Sequence, residues 1–385
     1  MALQLPKIIL NQEQIYLNIG FDAKRLFLNN AGLGNYSRWL VKGLLSQFPE
    51  NAYHLYTPNV SEKEKEFNKE NVYTHLAPNL FKTFWRTKGI KKDLIKDKIN
   101  VYHGLSNELP MGIEKTGIKT VVTIHDLIFK IFPEYYNAID RAIYDRKFLS
   151  ACERADKIVA VSQHTKQSII ENYKINPDKI EVIYLDTAER YHHEPDQDKV
   201  KEIRDKYEIR RPFFLNVGAL GGRKNQLNLL EAYAAISDRT EVDLVFAGKP
   251  GKDLEAFNKL VKKCDLERRV THISFITDEE LYYLYHGSYA TVYPSLYEGF
   301  GIPILESYRS GKPVLTSEGS SLEEVAGQAG LICNPKDVSS ISEQLLKLTE
   351  SEVYSGLQKN IKNELSRFHP KDSISKYMEM YTSMV

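Results

Sequence analysis

The sequence predicts an α/β protein with two doubly wound domains, each built on a parallel sheet. Short apolar strand-like runs alternate with amphipathic helical runs, and this pattern restarts after a polar stretch at residues 191–212 that has no strand signal. The 385 residues suit two domains, and a composition of 42% hydrophobic and 27% charged residues allows each domain to bury a core.

Composition excludes several classes of protein. The net charge of +1 gives no general argument for binding nucleic acid. The three cysteines have no C-x-x-C spacing, which argues against a disulfide framework or a zinc site and indicates a reducing compartment. Residues 1–14 are interpreted as an extension without the apolar core of a signal peptide, and no apolar window of about 18 residues predicts a membrane span. We therefore expect a cytoplasmic protein.

The first block opens with a strand at residues 15–21, a glycine-containing loop at residues 29–35 and a helix with apolar residues at helical spacing. This order is typical of the start of a βαβ unit. The loop reads G-L-G-N-Y-S and falls short of a full G-x-G-x-x-G fingerprint, so it predicts phosphate binding only weakly. An ordinary turn with a helix cap explains the same residues equally well.

The segment at residues 81–99 combines basic and aromatic side chains. It carries seven basic and two acidic residues, with Phe81, Phe84 and Trp85 interleaved. Such an amphipathic element can rest on an anionic membrane surface. The alternative is a solvated helix face whose aromatic side chains lie in the core.

Further strands are predicted after this opening, and one of them ends at a histidine. The run VVTIHDL places His125 at the carboxyl end of a strand, where ligands collect in open α/β sheets. A lone histidine is more often structural, so position alone leaves both interpretations open. The predicted strands of this block are residues 53–57, 72–76, 101–103, 120–125, 157–161 and 180–184.

The second block opens with a strand at residues 213–218, followed by a glycine-rich turn that contains Arg223 and Lys224 and then by a helix. Two fixed cations beside a helix N-terminus can neutralise a diphosphate. The spacing is not that of a Walker A loop, and simple solvation of the pair is the alternative. Strands at residues 242–248, 270–276 and 289–293 continue the block.

The stretch EGFGIPILE places Glu298 before two glycines and Glu306 about one turn into the following helix. The helix N-terminus favours an anion, and carboxylates accept hydrogen bonds from ribose and sugar hydroxyls. Because this turn and the Arg223 turn both follow strands of one domain, we expect them at one sheet edge, forming a site for a nucleoside diphosphate with a hydroxylated group attached. A glycosidase carboxylate pair would need no phosphate site, and no clustered carboxylates predict a metal ion.

From about residue 15 to its end, the chain resembles a retaining, metal-independent glycosyltransferase of family 4 with the GT-B fold. The resemblance rests on EGFGIPILE at 298–306, N-V-G-x-x-x-x-R-K-N at 216–225, IHD at 124–126, AGLGNY at 31–36 and ADKIVAVS at 155–162. The IHDL run followed by Phe132-Pro133-Glu134 is similar to the mannosyltransferase branch that builds bacterial surface polysaccharides.

The resemblance implies roles for individual residues. Arg223 and Lys224 would bind the donor diphosphate and stabilise the charge of the leaving group, while Glu298 would orient the donor sugar. His125 would contact that sugar from the acceptor side. Retention is attributed to front-face attack, in which a donor phosphate oxygen takes the acceptor proton, so no metal or other cofactor is expected. The donor-binding residues implied are Gly32, Gly34, Asn35, Ile276, Gly299, Phe300, Gly301, Ile302 and Glu306.

The resemblance also implies an arrangement of domains. We expect an acceptor-side domain at residues 1–188, a donor-binding domain at 189–369, and a crossover helix at 370–385 that packs back on the first domain across an interdomain cleft. The apolar stripe of the last helix contains Ile374, Tyr377, Met378 and Tyr381, which suits such packing.

The predicted function is transfer of a hexose, with GDP-mannose as the preferred donor, to a glycan or polyprenyl-linked acceptor at the inner face of the membrane. A UDP-sugar-dependent enzyme of the same family is the first alternative. A GT-B sugar-nucleotide epimerase and an inactive nucleotide-sugar binding protein are further alternatives. No nucleic-acid partner is expected.

Overall fold

The computed structural model of the chain describes residues 16–78 and 82–385. The predicted extension at residues 1–14 and the side chain of Phe81 therefore lie outside the described residues. Within them, no helix is both long and apolar enough to span a bilayer.

The first sheet has seven parallel strands in the order β3-β2-β1-β4-β5-β6-β7. Its central strands are apolar on both faces because helices cover both sides of the sheet. The first strand begins three residues later than predicted, and the other predicted strands of this block are confirmed. The strands are β1 Asn18–Asp22, β2 Ala52–Thr57, β3 Val72–Leu76, β4 Val101–Gly104, β5 Lys119–Ile124, β6 Lys157–Ala160 and β7 Ile180–Val182.

The helices of this domain include one that starts earlier than the sequence suggested. Residues 32–35, which were predicted to belong to a loop at residues 29–35, form the first turn of the second helix, which begins at Gly32. The helices are α1 Lys24–Leu28, α2 Gly32–Gln47, α3 Lys82–Phe84, α4 Lys91–Lys96, α5 Ile128–Ile131, α6 Ala138–Arg154 and α7 Gln163–Tyr173.

The basic and aromatic segment divides between core and surface. Trp85 is buried, and its indole Nε1 donates to Asp93 at 2.6 Å, so for this residue the alternative of a core aromatic is correct. Phe84, in contrast, is 59% exposed. Between α3 and α4 the chain forms a π-helical turn, Trp85–Gly89.

The second sheet has six parallel strands in the order β10-β9-β8-β11-β12-β13. The predicted strands are confirmed, although β10 ends three residues early and the last two strands were not predicted. The strands are β8 Phe213–Val217, β9 Asp243–Ala247, β10 Val270–Ile273, β11 Ala290–Tyr293, β12 Val314–Ser317 and β13 Gly330–Cys333.

Nine helices lie in the fully described stretch from residue 183 onward. One of them lies in the polar stretch that separates the two predicted blocks. They are α8 Gln197–Lys206, α9 Gln226–Ala234, α10 Leu254–Lys263, α11 Asp278–Gly287, α12 Ile302–Arg309, α13 Ser321–Ala326, α14 Val338–Leu348, α15 Ser351–Leu365 and α16 Pro370–Met384.

The last helix packs on the first domain. An ideal Cβ placed on Gly43 of α2 would lie 2.5 Å from Cδ1 of Ile374, so the side chain of Ile374 packs directly against the backbone of Gly43. The Tyr377 hydroxyl lies 3.0 Å from the hydroxyl of Tyr36. The change of sheet falls between Val182 and Phe213. The predicted boundary near residue 188 lies in that interval and stays a prediction.

Each sheet reverses its strand order once, between β1 and β4 in the first and between β8 and β11 in the second. In doubly wound sheets, ligands bind outside the carboxyl ends of the strands at such switch points. The molecule therefore has two crevices of this kind, and the loops that line them decide its chemistry.

Candidate active-site cleft

The turn after β8 holds the two predicted cations rigidly. Arg223 and Lys224 lie in a 3-10 turn, Gly222–Lys224, directly before α9. Asn225 has a left-handed backbone (φ 62°), and its amide nitrogen donates to the carbonyls of Pro294 and Pro335 at 3.0 and 2.6 Å. The bond to Pro294 fastens the turn to the loop that follows β11, and the bond to Pro335 fastens it to the loop that follows β13. The switch-point crevice of the second sheet is therefore built from the turn after β8 and the loop after β11.

Glu298 binds both cations through a single oxygen. Its Oε1 lies 2.5 Å from NH1 of Arg223 and 2.7 Å from Nζ of Lys224. The hydroxyls of Tyr293 and Ser295 also donate to Oε1, at 3.0 and 2.7 Å. Burial alone would raise the pKa of Glu298, but the two positive charges and the hydrogen bonds lower it to about 2. The carboxylate is therefore ionised at neutral pH and committed to the cations.

Glu306 has the opposite electrostatic environment. It lies on α12, which begins after Gly301, a residue with a φ of 135° that favours glycine. Burial raises the pKa of Glu306 to about 7, and the nearby hydroxyls of Tyr285 and Tyr191 offset only part of that effect. Of the two signature glutamates, Glu306 is thus the one that titrates near neutral pH.

Gly299, one of the two glycines between Glu298 and Glu306, contacts the first domain. An ideal Cβ on Gly299 would lie 1.9 Å from the carbonyl oxygen of His125, so no larger residue fits there. The carbonyl of Gly299 accepts hydrogen bonds from Ser162 at 2.8 Å and from Thr165 at 3.2 Å. The loop of the second domain and the loop after β5 of the first domain therefore meet directly.

His125 is buried, and its side chain is already engaged. Its Nε2 donates to the carbonyl of Leu105 at 2.9 Å, and its backbone N–H donates to Oδ1 of Asn107 at 2.9 Å. The edge of its ring meets the ring of Tyr36, with centroids 4.7 Å apart. Burial lowers the pKa of His125 to about 4, so the imidazole is neutral at pH 7. The predicted contact with a sugar stays a prediction.

The structure does not bring every predicted residue into this cluster. Gly34 packs against Asn29, whose carbonyl would lie 1.9 Å from an added Cβ, and this packing by itself requires glycine. Among the described residues, no hydrogen bond joins Gly32, Gly34 or Asn35 to the Arg223–Glu298 cluster. The side chain of Phe300 is buried against Tyr184 and Phe368, and half-buried Ile276 follows β10, so their predicted donor contacts stay predictions.

Sequence reasoning missed three residues at the cluster. Asp126 follows His125, its Oδ1 accepts the N–H of Ile128 at 3.0 Å, and burial raises its pKa. Tyr135 lies against Gly222, where an added Cβ would come within 2.5 Å of its ring. Tyr293 donates to Glu298. The IHD motif contained a signal for Asp126, and Tyr293 ends the predicted strand at residues 289–293, but no pattern assigned a role to either tyrosine.

One group of side chains with metal-binding chemistry occurs among the described residues, but it is remote from this cluster in the fold. His54 on β2, His75 on β3 and Asp97 after α4 have ligand atoms within 4.8 Å of one another. They also bond among themselves, because Nδ1 of His54 lies 3.0 Å from Nε2 of His75. The expectation that the reaction needs no metal stays a prediction.

Comparisons with known proteins agree with this architecture. Residues 32–185 match the model of Glycosyltransferase Family 4, and residues 199–366 match the model of Glycosyl transferases group 1. The chain is 32% identical over 258 residues to O-antigen chain mannosyltransferase B of Escherichia coli, with 66% of each chain covered. It is 30% identical over 298 residues to the serotype-specific mannosyltransferase WbdA of Escherichia coli. This alignment covers 74% of this chain and 36% of WbdA.

The alignments thus span less than two thirds of the length of these relatives. Among solved structures, a glycosyltransferase from Rickettsia africae ESF-5 superposes with a TM-score of 0.75 at 19% identity, covering 96% of this chain and 98% of that one. At this identity the likeness concerns the fold alone, and it confirms the predicted GT-B architecture.

Proposed function

Because the chain belongs to the glycosyltransferases of family 4 and group 1, we propose that it moves a hexose from a nucleotide-sugar donor to a glycan or lipid-linked acceptor. We propose mannose as the hexose, GDP-mannose as the donor and bacterial surface polysaccharide as the product. The names of the relatives, which are O-antigen and serotype-specific mannosyltransferases, support this choice.

One observation carries the proposal: Arg223, Lys224 and Glu298 converge at the carboxyl ends of β8 and β11. A donor diphosphate placed there would take both cations as partners, and their charge would stabilise the diphosphate as it leaves. Since two fixed cations supply this charge, the proposed reaction needs no metal ion.

The proposed reaction retains the anomeric configuration. The bond between the anomeric carbon and the diphosphate oxygen breaks, the acceptor hydroxyl oxygen bonds to the same carbon on the same face, and its proton passes to a diphosphate oxygen. Glu298 acts as an orienting group in this scheme. Its pKa of about 2 and its engaged Oε1 support that role, because they make it a poor proton acceptor.

Glu306 would bind the ribose. It lies in the middle of α12, about one helical turn beyond the glycines whose N–H groups would face the sugar and the phosphate. Gly34 and His125 would complete the site from the first domain. The contact between His125 and Gly299 supports this, because it joins the two domains beside the donor loop.

We also propose that the first domain contacts an anionic membrane through residues 82–99. Exposed apolar and basic side chains share this segment: Phe84 is 59% exposed and Ile95 56%, and several lysines are exposed beside them. Met111, 51% exposed, adjoins the segment because its N–H donates to the carbonyl of Thr87 at 2.7 Å. Such a mixture of apolar anchors and lysines suits an interfacial element.

The experiment that tests the function is a thermal-shift panel of GDP, UDP, ADP and TDP, followed by transfer assays with the matching mannose or glucose donor. We expect GDP alone to raise Tm, by mass action on the folded state. A selective shift by UDP would replace the proposed donor, and donor turnover without any transfer product would favour the epimerase. Nucleotide binding without turnover would indicate a binding protein, and no shift with any nucleotide would contradict the whole proposal.

A further inference from the structure

The first sheet has its own switch-point crevice, and a cluster of charged side chains occupies it. Asp22 ends β1 and Glu108 lies in the loop after β4, so they flank the point where the strand order reverses. Arg86 reaches both from the π-helical turn before α4. Ligands of doubly wound sheets collect at such crevices, and π-helical turns often mark functional positions. None of the donor-site roles described above uses these residues.

The contacts within the cluster are close and directional. Arg86 donates through NH2 and Nε to Oδ2 of Asp22 at 2.6 and 3.1 Å, and through NH1 to Oε2 of Glu108 at 3.0 Å. The other oxygen of Glu108 accepts from Lys147 at 3.1 Å. The side chain of Asp22 is 5% exposed, that of Arg86 16% and that of Glu108 25%, so the cluster opens to solvent on the Glu108 side.

The crevice adjoins the donor loop. Asn107, the residue before Glu108, accepts the backbone N–H of His125 at 2.9 Å, and the carbonyl of His125 is the group that meets Gly299. A ligand in contact with Glu108 would therefore lie on the first-domain side of the same cleft that contains Glu298.

The balance of charge in the cluster indicates which ligand it suits. Arg86 and Lys147 are both paired with carboxylates, and the nearby Lys24 has a pKa lowered first by burial and then by the charge of Arg86. A phosphate would have to compete with two carboxylates for the same guanidinium and would be repelled by both. Sugar hydroxyls donate to carboxylates and accept from cations, so both signs of charge serve them.

We propose that Glu108, positioned by Arg86 and by the buried Asp22 behind it, forms the acceptor subsite, and that this subsite binds an uncharged sugar through its hydroxyls and disfavours a phosphorylated one. The inference rests on the proposed function, since it specifies the acceptor of that reaction. It adds the chemical class of the acceptor group and the residues that select it.

The first test compares two acceptors with the wild-type enzyme, methyl α-D-mannoside and mannose 6-phosphate, with product measured by mass spectrometry. We expect kcat/KM for the uncharged acceptor to be higher by about tenfold or more, the effect of leaving buried charged groups badly paired. Equal use of the two acceptors, or preference for the phosphorylated one, would overturn the inference. Because this comparison needs no variant, it does not depend on any substitution folding correctly.

The second test uses Glu108→Gln and Asp22→Asn. Each replaces a carboxylate that accepts hydrogen bonds by an amide of the same shape, and we expect KM for methyl α-D-mannoside to rise at least about tenfold in both, with a smaller change in kcat. Glu114→Gln is the matched control: Glu114 lies in the same domain, before β5 and hence at the other sheet edge, where it pairs with Arg154 at 3.5 Å. The KM of the Glu114→Gln variant for methyl α-D-mannoside should stay at the wild-type value.

Nucleotide binding distinguishes a failure of this inference from a failure of the proposed function. If a nucleotide raises Tm of the wild type and the variants equally while the acceptor KM does not change, this inference fails and the proposed function stands. If no nucleotide shifts Tm of the wild type and no acceptor is glycosylated, the proposed function fails and takes this inference with it.

Discussion

Glu298 and Glu306 carry the same functional group eight positions apart, yet their pKa values fall on opposite sides of the ordinary range. Burial acts to raise the pKa of both glutamates, and their neighbours make the difference. Two cations and two hydroxyls lower the pKa of Glu298 again, whereas Glu306 has only tyrosine hydroxyls to offset its burial. The sequence motif predicted a pair of carboxylates at one sheet edge. Only the packing separates a permanently ionised residue from one that titrates at neutral pH.

The two cations should govern turnover. Arg223→Ala removes one of the charges that would stabilise the leaving diphosphate, so we expect kcat to fall by about 10²-fold or more. The measurement is steady-state transfer with saturating donor. Arg211→Ala is the matched control, because Arg211 lies near the opposite end of β8 and is half exposed beside Glu241. A near-normal kcat for Arg223→Ala would contradict the assigned role.

Glu306 should give the fold a pH dependence of a definite sign. Since its pKa is raised to about 7 in the folded state, the fold holds this proton more strongly than the unfolded chain does. Its stabilising contribution is present at about pH 5 and lost as pH rises through 7. Glu306→Gln removes this titration, and we expect the loss of unfolding free energy between about pH 5 and pH 8 to shrink by up to about 3 kcal/mol.

Denaturant unfolding at the two pH values measures that change. Glu298→Gln is the control, because a group with a pKa of about 2 does not titrate in this range and its replacement should leave the pH slope unaltered. The buried histidines contribute equally to all three proteins. If Glu306→Gln keeps the wild-type dependence of unfolding free energy on pH, the pKa of about 7 for Glu306 is wrong.

At the scale of elements, strands were predicted well where they were long and apolar. β5 and β8 carry apolar runs that are buried on both faces, and the sequence placed both within one residue at each end. β12 and β13 were missed, although β4, β6 and β11 also have four residues and were predicted. The runs VLTS and GLIC mix apolar residues with polar residues or glycine, so they stand out less from the neighbouring helical patterns. The first turn of α2 was taken for a loop because Gly32 and Gly34 there have weak helix propensity.

The segment at residues 82–99 yields a prediction about membranes. Lys88, Lys92 and Lys96 are exposed there beside Phe84 and Ile95. Replacing all three lysines by glutamine should weaken binding to liposomes that contain anionic lipid by roughly 100-fold, since each lysine near the surface contributes about 1 kcal/mol.

Cosedimentation at low and high salt checks this, and binding of the wild type should fade as salt screens the charges. The matched control replaces Lys259, Lys262 and Lys263, which are equally exposed on α10 of the second domain. Equal binding of the wild type to neutral and anionic liposomes would contradict electrostatic docking.

At the scale of the whole molecule, the sequence predicted the two-sheet architecture but could not predict how the sheets face each other. The strand pattern of one chain contains no information about the contact between Gly299 and His125, which arises only when two separately folded loops meet. For the same reason the charged crevice of Asp22, Arg86 and Glu108 was not foreseen. Its members lie on three separate elements and share no local spacing.

The carboxylate of Glu324 adds a further contact between the two domains beside the donor loop. Glu324, on α13 of the second domain, accepts the backbone N–H groups of Gln163 and His164 at 2.8 and 3.1 Å, at the N-terminus of α7 in the first domain. The hydroxyl of Tyr184 also donates to it at 2.8 Å. A carboxylate at a helix N-terminus is favoured by the exposed N–H groups and by the helix dipole. On the same helix, Ser321 donates to the carbonyls of Glu298 and Phe300 at 2.8 and 2.7 Å, so the interdomain contact is coupled to the signature loop.

We expect Glu324→Ala to shift the two domains toward an open arrangement. Hydrogen bonds to a charged group contribute about 1.5–3 kcal/mol each, so even part of this loss should raise KM for the nucleotide-sugar donor by about tenfold. Small-angle X-ray scattering should show a larger radius of gyration for the variant without ligand. Glu323→Ala is the matched control, because Glu323 is the exposed neighbour on the same helix and contacts neither Gln163 nor His164. An unchanged donor KM and an unchanged radius for Glu324→Ala would mean that the many other contacts across the interface hold the domains together without this carboxylate.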